Sequence, residues 1–151
     1  MKLAEALLLR SEYQKKIESL KQRILVNVKV QENEEPFENP KDLLNEIFKI
    51  EEQLCDLVKK INHNNFKIKL PSGESLADAI ANRNMILKKI SMLKSIPERV
   101  NEKDYRLTHT EVKMHVTLNI SEIQKQIDSL SKSYRELDTQ IQGVNWTSDF
   151  D

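Results

Sequence analysis

The sequence predicts a mainly α fold: a bundle of about four helices with long heptad-patterned first and last helices, plus a small two-stranded antiparallel β-ribbon. Three observations lead there. Between Ile120 and Val144 the apolar residues Ile120, Ile123, Ile127, Leu130, Tyr134, Leu137, Ile141 and Val144 are separated by alternating steps of three and four. That is the unbroken heptad seam of a helix burying one narrow stripe against another helix. A second seam opens the chain through Leu3, Ala6, Arg10, Tyr13, Ile17, Leu20, Ile24 and Asn27. Finally, the chain holds only two glycines and four prolines, so few places break a helix, and good helix formers dominate between them.

The first helix is expected over about Leu3 to Asn27. Val26, Val28 and Val30 then alternate with polar residues, which suits either a last helical turn or a short strand. Gln31 to Asn39 is acidic, contains Pro36 and reads as an exposed loop. Asn39-Pro40-Lys41-Asp42 is a sharp helix start: Asn39 can accept from free backbone N–H groups, Pro40 suits the first helical position, and Asp42 favours the positive helix end. The second helix carries Leu43, Ile47, Ile50, Leu54, Leu57 and Ile61, a third heptad seam, and is expected to end near Asn62-His63-Asn64-Asn65.

Phe66, Ile68 and Leu70 alternate with lysines and read as a strand, closed by a turn at Pro71-Ser72-Gly73. Ser75 with Asp78 three residues on resembles a capping box and opens a third helix. Leu76, Ile80, Leu87, Ile90 and Leu93 supply its apolar face, with Arg83 on or beside it, and Pro97 is expected to stop it. Ile96 to Thr110 reads as a long connection. Val112, Met114, Val116 and Leu118 alternate with Lys113, His115 and Thr117 as a second strand, which would pair with Phe66–Leu70. Asn119, with Glu122 three residues later, caps the fourth helix, and Gly143 is expected to end it as a left-handed cap residue. The first and fourth helices, each about 37 Å long at 1.5 Å per residue, are the obvious partners for one another.

At 151 residues the chain suits a single helical domain, 1–151. Charged residues make up 32% and sum to a formal net charge of +0, so no global field draws the chain to nucleic acid or an anionic membrane. The lone Cys55 cannot form an intramolecular disulfide, which fits a reducing compartment. The apolar run Ala6–Leu9 is too short for the core of an export signal, and no stretch approaches the roughly 20 apolar residues that cross a bilayer. A soluble cytoplasmic protein is the expectation.

Chemistry is sparse. His109, Glu111 and His115 would share one face of a strand, but their spacing matches no established zinc motif, and a solvated strand face explains them. His63 sits at a helix end, where it favours the negative terminus. Cys55 reads as a small buried or half-buried apolar residue. There is no Gly-rich phosphate loop, no nucleophile elbow and no Glu-x-x-His pair for a di-iron bundle. The sequence therefore points to no catalytic residue, no cofactor and no metal, and to a protein that is not an enzyme. The basic pairs Lys59-Lys60 and Lys88-Lys89, and Arg99, Lys103 and Arg106, lack the interleaved aromatics of a nucleic-acid surface.

The more informative residues are polar ones on apolar seams: Arg10, Asn27 and Arg83. A guanidinium there must find a carboxylate or carbonyls, because an unpaired buried charge costs several kcal/mol. One reading is a register-setting ion pair in the bundle or at a subunit interface. The other is a polar pocket to which Asn62 and Asn65 contribute.

Several phrases resemble a known family. They are the opening Met1-Lys2-Leu3-Ala4-Glu5-Ala6-Leu7-Leu8-Leu9-Arg10, Val30-Gln31-Glu32 before the acidic loop, Leu76-Ala77-Asp78-Ala79-Ile80-Ala81 followed by Arg83, and Arg135-Glu136-Leu137-Asp138-Thr139-Gln140-Ile141-Gln142 with Asn145-Trp146. Together they resemble a family of small bacterial proteins of unknown function that often carries the name septicolysin. Similar sequences often have Asp after the arginine, where this chain has Asn84. The name implies a cytolysin, yet the narrow seams here suit protein surfaces better than membrane insertion. The resemblance supplies no catalytic or binding residues. The expectation is a homo-oligomer acting through self-assembly or protein binding, without nucleic acid or membrane. The alternatives are a pore-forming cytolysin, and a ligand-binding protein or enzyme with a polar inter-helix site.

Overall fold

The computed structural model describes residues 1–102 and 113–151. Among them are four helices: α1 (Leu3–Asn27), α2 (Pro40–Lys67), α3 (Leu76–Val100) and α4 (Ile120–Thr147). The chain is mainly α. Its backbone divides into two compact units, one formed by Met1–Leu76 with Gln142–Asp151 and the other by Ala77–Ile141.

In the first unit α1 and α2 run antiparallel, as the ion pairs Lys16–Glu46 and Arg23–Glu38 require. Leu20 meets Leu43 and Ile50 in a buried cluster, flanked by Tyr13, Ile17, Ile24 and Ile47. These are the seam positions of both helices, and each buried aliphatic side chain stabilises the pair by about 1.5–3 kcal/mol relative to exposure. The Asn39 cap forms as expected: its side chain accepts from the Lys41 N–H at 3.0 Å, with Pro40 in the first turn. At the other end, the last residues of the chain are tied to the start of α1. Leu3 N–H donates to the Ser148 carbonyl and Phe150 N–H to that of Met1, both at 3.0 Å. The Asp149 carboxylate accepts from Lys2 Nζ at 2.6 Å, and Lys2 N–H donates to Glu5 at 2.6 Å.

In the second unit α3 and α4 are antiparallel, with Arg83 opposite Asp138 and the Met85–Leu93 stretch opposite Gln126–Leu130. The α4 seam faces inward at Ile123, Ile127 and Ile141, all buried. Along α3 the buried and half-buried positions of this unit include Ala79, Arg83, Ile86, Ile90 and Leu93, alternating by four and three. Leu87, one residue off that series, is exposed. Asn119 caps α4, its side chain accepting from Glu122 N–H at 3.2 Å.

Four expectations need correction. No β-ribbon is present among the described residues. Phe66 and Lys67 belong to the last turn of α2, and Lys69 makes only an isolated bridge to Ser75 across the Gly73 turn. Residues 113–118 form no strand among the described residues, with a bend at Leu118, and Val112 lies outside them; alternation marks a two-faced segment without supplying a partner strand. The second helix runs past Asn62–Asn65 to Lys67, closing with Ile68 N–H on the Asn64 carbonyl at 2.9 Å. Pro97 does not stop α3, which continues to Val100; proline forfeits one backbone bond near the helix end, and the Asn101 N–H reaches back to the Pro97 carbonyl at 3.1 Å. Gly143 is not a left-handed cap, because α4 proceeds to Thr147 and the only positive-φ glycine is Gly73, at φ 87°. Packing decides that case: Ile141 and Asn145 are both buried, so another helical turn has something to bury. Within its own unit the α1 seam is met by α2, with Leu20 against Leu43 and Ile50.

Candidate functional site

The polar seam residues do not form one pocket. Arg10 is half-buried on α1. Asn27 is buried and acts locally: Nδ2 donates to the Arg23 carbonyl at 2.8 Å, and Oδ1 accepts from Glu38 N–H at 3.3 Å, fastening the end of α1 to the following loop. Arg23 adds a two-pronged ion pair to Glu38, with Nε to Oε2 at 2.9 Å. That hydrogen bond holds the Glu38 carboxyl below its ordinary range. Asn62 is exposed and Asn65 half-buried, at the opposite end of the α1–α2 pair from Asn27. The buried amide there is their neighbour Asn64, whose Nδ2 donates to the Lys60 carbonyl at 2.9 Å. Cys55, expected to be at least half-buried, is exposed. His115 is exposed; His109, Glu111, Lys103 and Arg106 lie outside the described residues.

Arg83 belongs to the other unit. Its Nη1 donates to Asp138 Oδ1 at 2.9 Å, with the two side chains 21% and 30% exposed. It is an inter-helix ion pair on the α3–α4 seam, and it uses Asp138 from another helix rather than an acid at position 84.

Between α3 and α4 the surface also opens into an apolar groove of about 670 Å³. Met85, Met92 and Leu93 line it from α3 and Leu130 from α4, with Gln126 and Ser129 on the α4 side. Lys88 and Lys89 stand on its α3 side and give the groove a basic rim. Two helices alone cannot enclose a seam. Leu93, Leu130, Tyr134 and Leu137 remain half-buried, while Met85 and Met92 are 45% and 68% exposed. Chemically the groove offers flexible, polarisable thioethers and aliphatic carbon, with the Ser129 hydroxyl, the Gln126 amide and two lysines beside them. The heptad pattern names the residues that face inward, and the two methionines lie just off it. The signal that could have found them is their own spacing: Met85 and Met92 are seven apart and so share one helix face.

Architecturally this is a small protein of long helical hairpins. Residues 10–150 match a family of unknown function, DUF6847, and the chain belongs to that family. Over its whole length it is similar to a functionally unknown conserved protein from Corynebacterium diphtheriae, whose crystal structure is known. The two are 36% identical, the match covers 100% of this chain and 99% of the other, and the TM-score is 0.89. None of the curated proteins matches.

Proposed function

We propose that this protein acts through self-association, with the α3–α4 groove as the contact surface. One observation carries the reading: a two-helix seam left half-wet, with Met85 and Met92 exposed beside it. Helical hairpins of this kind complete their cores by adding helices, and a second copy supplies them at no cost in new sequence. Within a membrane-active reading a different surface would be needed, and no helix among the described residues is long and apolar enough to cross a membrane.

Sedimentation of the native protein tests the proposal. The expected mass is a multiple of 17.7 kDa, and Met92→Glu should shift the population towards the single chain by placing a charge in the contact. A wild-type protein that sediments as a single chain up to high concentration would refute self-association. Dye-loaded anionic vesicles should stay intact when the protein is added; release would favour the cytolysin implied by the name septicolysin.

A further inference from the structure

We infer that the acidic segment around Phe37 of one copy seats in the α3–α4 groove of a second copy, with Phe37 as its apolar anchor. This rests on the self-association reading and names what fills the groove.

The first support is Phe37 itself. Its relative exposure is 103%, the highest among the large apolar residues described. A mobile loop would explain an exposed phenylalanine trivially, but this backbone is pinned on both sides. Glu38 is held by Asn27 through its N–H and by Arg23 through its carboxylate. Asn39 is fixed as the cap of α2. Upstream, Glu34 N–H donates to the Gln31 carbonyl at 3.0 Å, Asn33 takes a left-handed φ of 69°, and Pro36 has a restricted φ of its own. The ring is thus presented outward on a braced segment with little left to order on binding, which is the economical form of a binding anchor.

The second support is complementarity. Phe37 is flanked by Glu32, Glu34 and Glu35, all exposed, and the groove carries Lys88 and Lys89 on its rim. An aromatic ring meeting Met85 and Met92 gains sulfur–aromatic contact. Carboxylates around it meet ammonium groups at the edge, where such pairs steer approach and fix orientation. In a two-fold pair each copy gives a loop and receives one, so the contact is made twice.

Cysteine pairing tests this in full-length protein with Cys55→Ser, so that introduced thiols are the only ones. Phe37→Cys with Met92→Cys, mildly oxidised and mapped by peptide mass, should give an intermolecular 37–92 disulfide. Either cysteine alone should give markedly less cross-linked product. In parallel, Phe37→Ser should weaken association by about tenfold or more, as loss of an aromatic anchor does. Lys88→Glu with Lys89→Glu should weaken it too, and Glu34→Lys with Glu35→Lys should restore it in that background. These surface positions are not part of either core, so folding is expected to survive, and circular dichroism checks it. If only 92–92 links form and Phe37→Ser associates like wild type, the inference is overturned while self-association stands, with two grooves closing on each other. If the wild type is a single chain throughout, both are overturned.

Discussion

The ion pair between Arg83 and Asp138 shows what a charged residue on an apolar seam can do. With side chains 21% and 30% exposed, neither group carries the full desolvation cost of a buried ion, and neither is screened as a surface pair would be. The expected coupling is therefore intermediate, about 0.5–1.5 kcal/mol. A double-mutant cycle in urea with Arg83→Met, Asp138→Asn and the double variant measures it, methionine keeping the apolar stem that arginine lays along the helix. A coupling indistinguishable from zero would reduce the pair to a solvated contact. Glu38 offers a pH test. Its hydrogen bond from Arg23 lowers its pKa in the folded protein from the ordinary 4.5. A lowered carboxylate pKa contributes stability that is fully present above the unfolded value and is lost as pH falls through the folded one. Arg23 is raised and stays charged throughout that window. Wild type should thus melt above Glu38→Gln at neutral pH, and the two melting curves should converge on acidification below 4.5. A gap that stays constant to low pH would show that the carboxylate's charge is irrelevant.

At the scale of the element, local signals were legible and their overruling was not. Asn39 before Pro40, and Asn119 before Glu122, mark helix starts through bonds made within three residues, and both form. Gly143 and Pro97 are equally local signals, yet both lie inside helices. The deciding term is long-range burial, at Ile141 and Asn145 around the glycine, and no pattern in a single segment reports it. The two glycines turn this into a prediction. A Cβ at Gly143 would meet nothing within 4 Å, and the backbone there is helical. Gly143→Ala should therefore stabilise the protein by about 0.5–1 kcal/mol, the difference in helix-interior preference. Gly73 has equal room, but its φ of +87° is one that side-chain-bearing residues rarely adopt. Gly73→Ala should destabilise the protein by about 1–2 kcal/mol. Denaturant midpoints of the two variants must move in opposite directions; a loss of stability in Gly143→Ala would return that residue to the role of a cap. The groove was illegible for a related reason. A seam tells which residues point between helices, but how far two helices enclose Leu93 or Leu130 depends on how many further helices cover them.

For the whole molecule, the seams were readable as seams but not as pairs. Three comparable stripes, on the first, second and fourth helices, leave the matching open; α1 and α2 match across a connection, residues 28–39, that Asn27 and Glu38 fasten to the end of α1. Where a stripe is covered on one side only, what remains is a question of mass action. If a second copy covers the α3–α4 groove, folding and association are linked, and stability must depend on protein concentration. Each tenfold increase adds about 1.4 kcal/mol per dimer. Against an unfolding enthalpy of about 0.7 kcal/mol per residue, summed over two chains of 151 residues, this raises the melting temperature by roughly 2–3 °C per decade. Calorimetry of the wild type across two decades should show that slope. Met92→Glu should flatten it while retaining a cooperative transition, because Met92 is 68% exposed and lies outside the buried core. A wild-type midpoint independent of concentration, with association undetected by sedimentation, would leave each chain to stabilise its hairpins alone, and the exposed methionines would then need a partner other than a second copy.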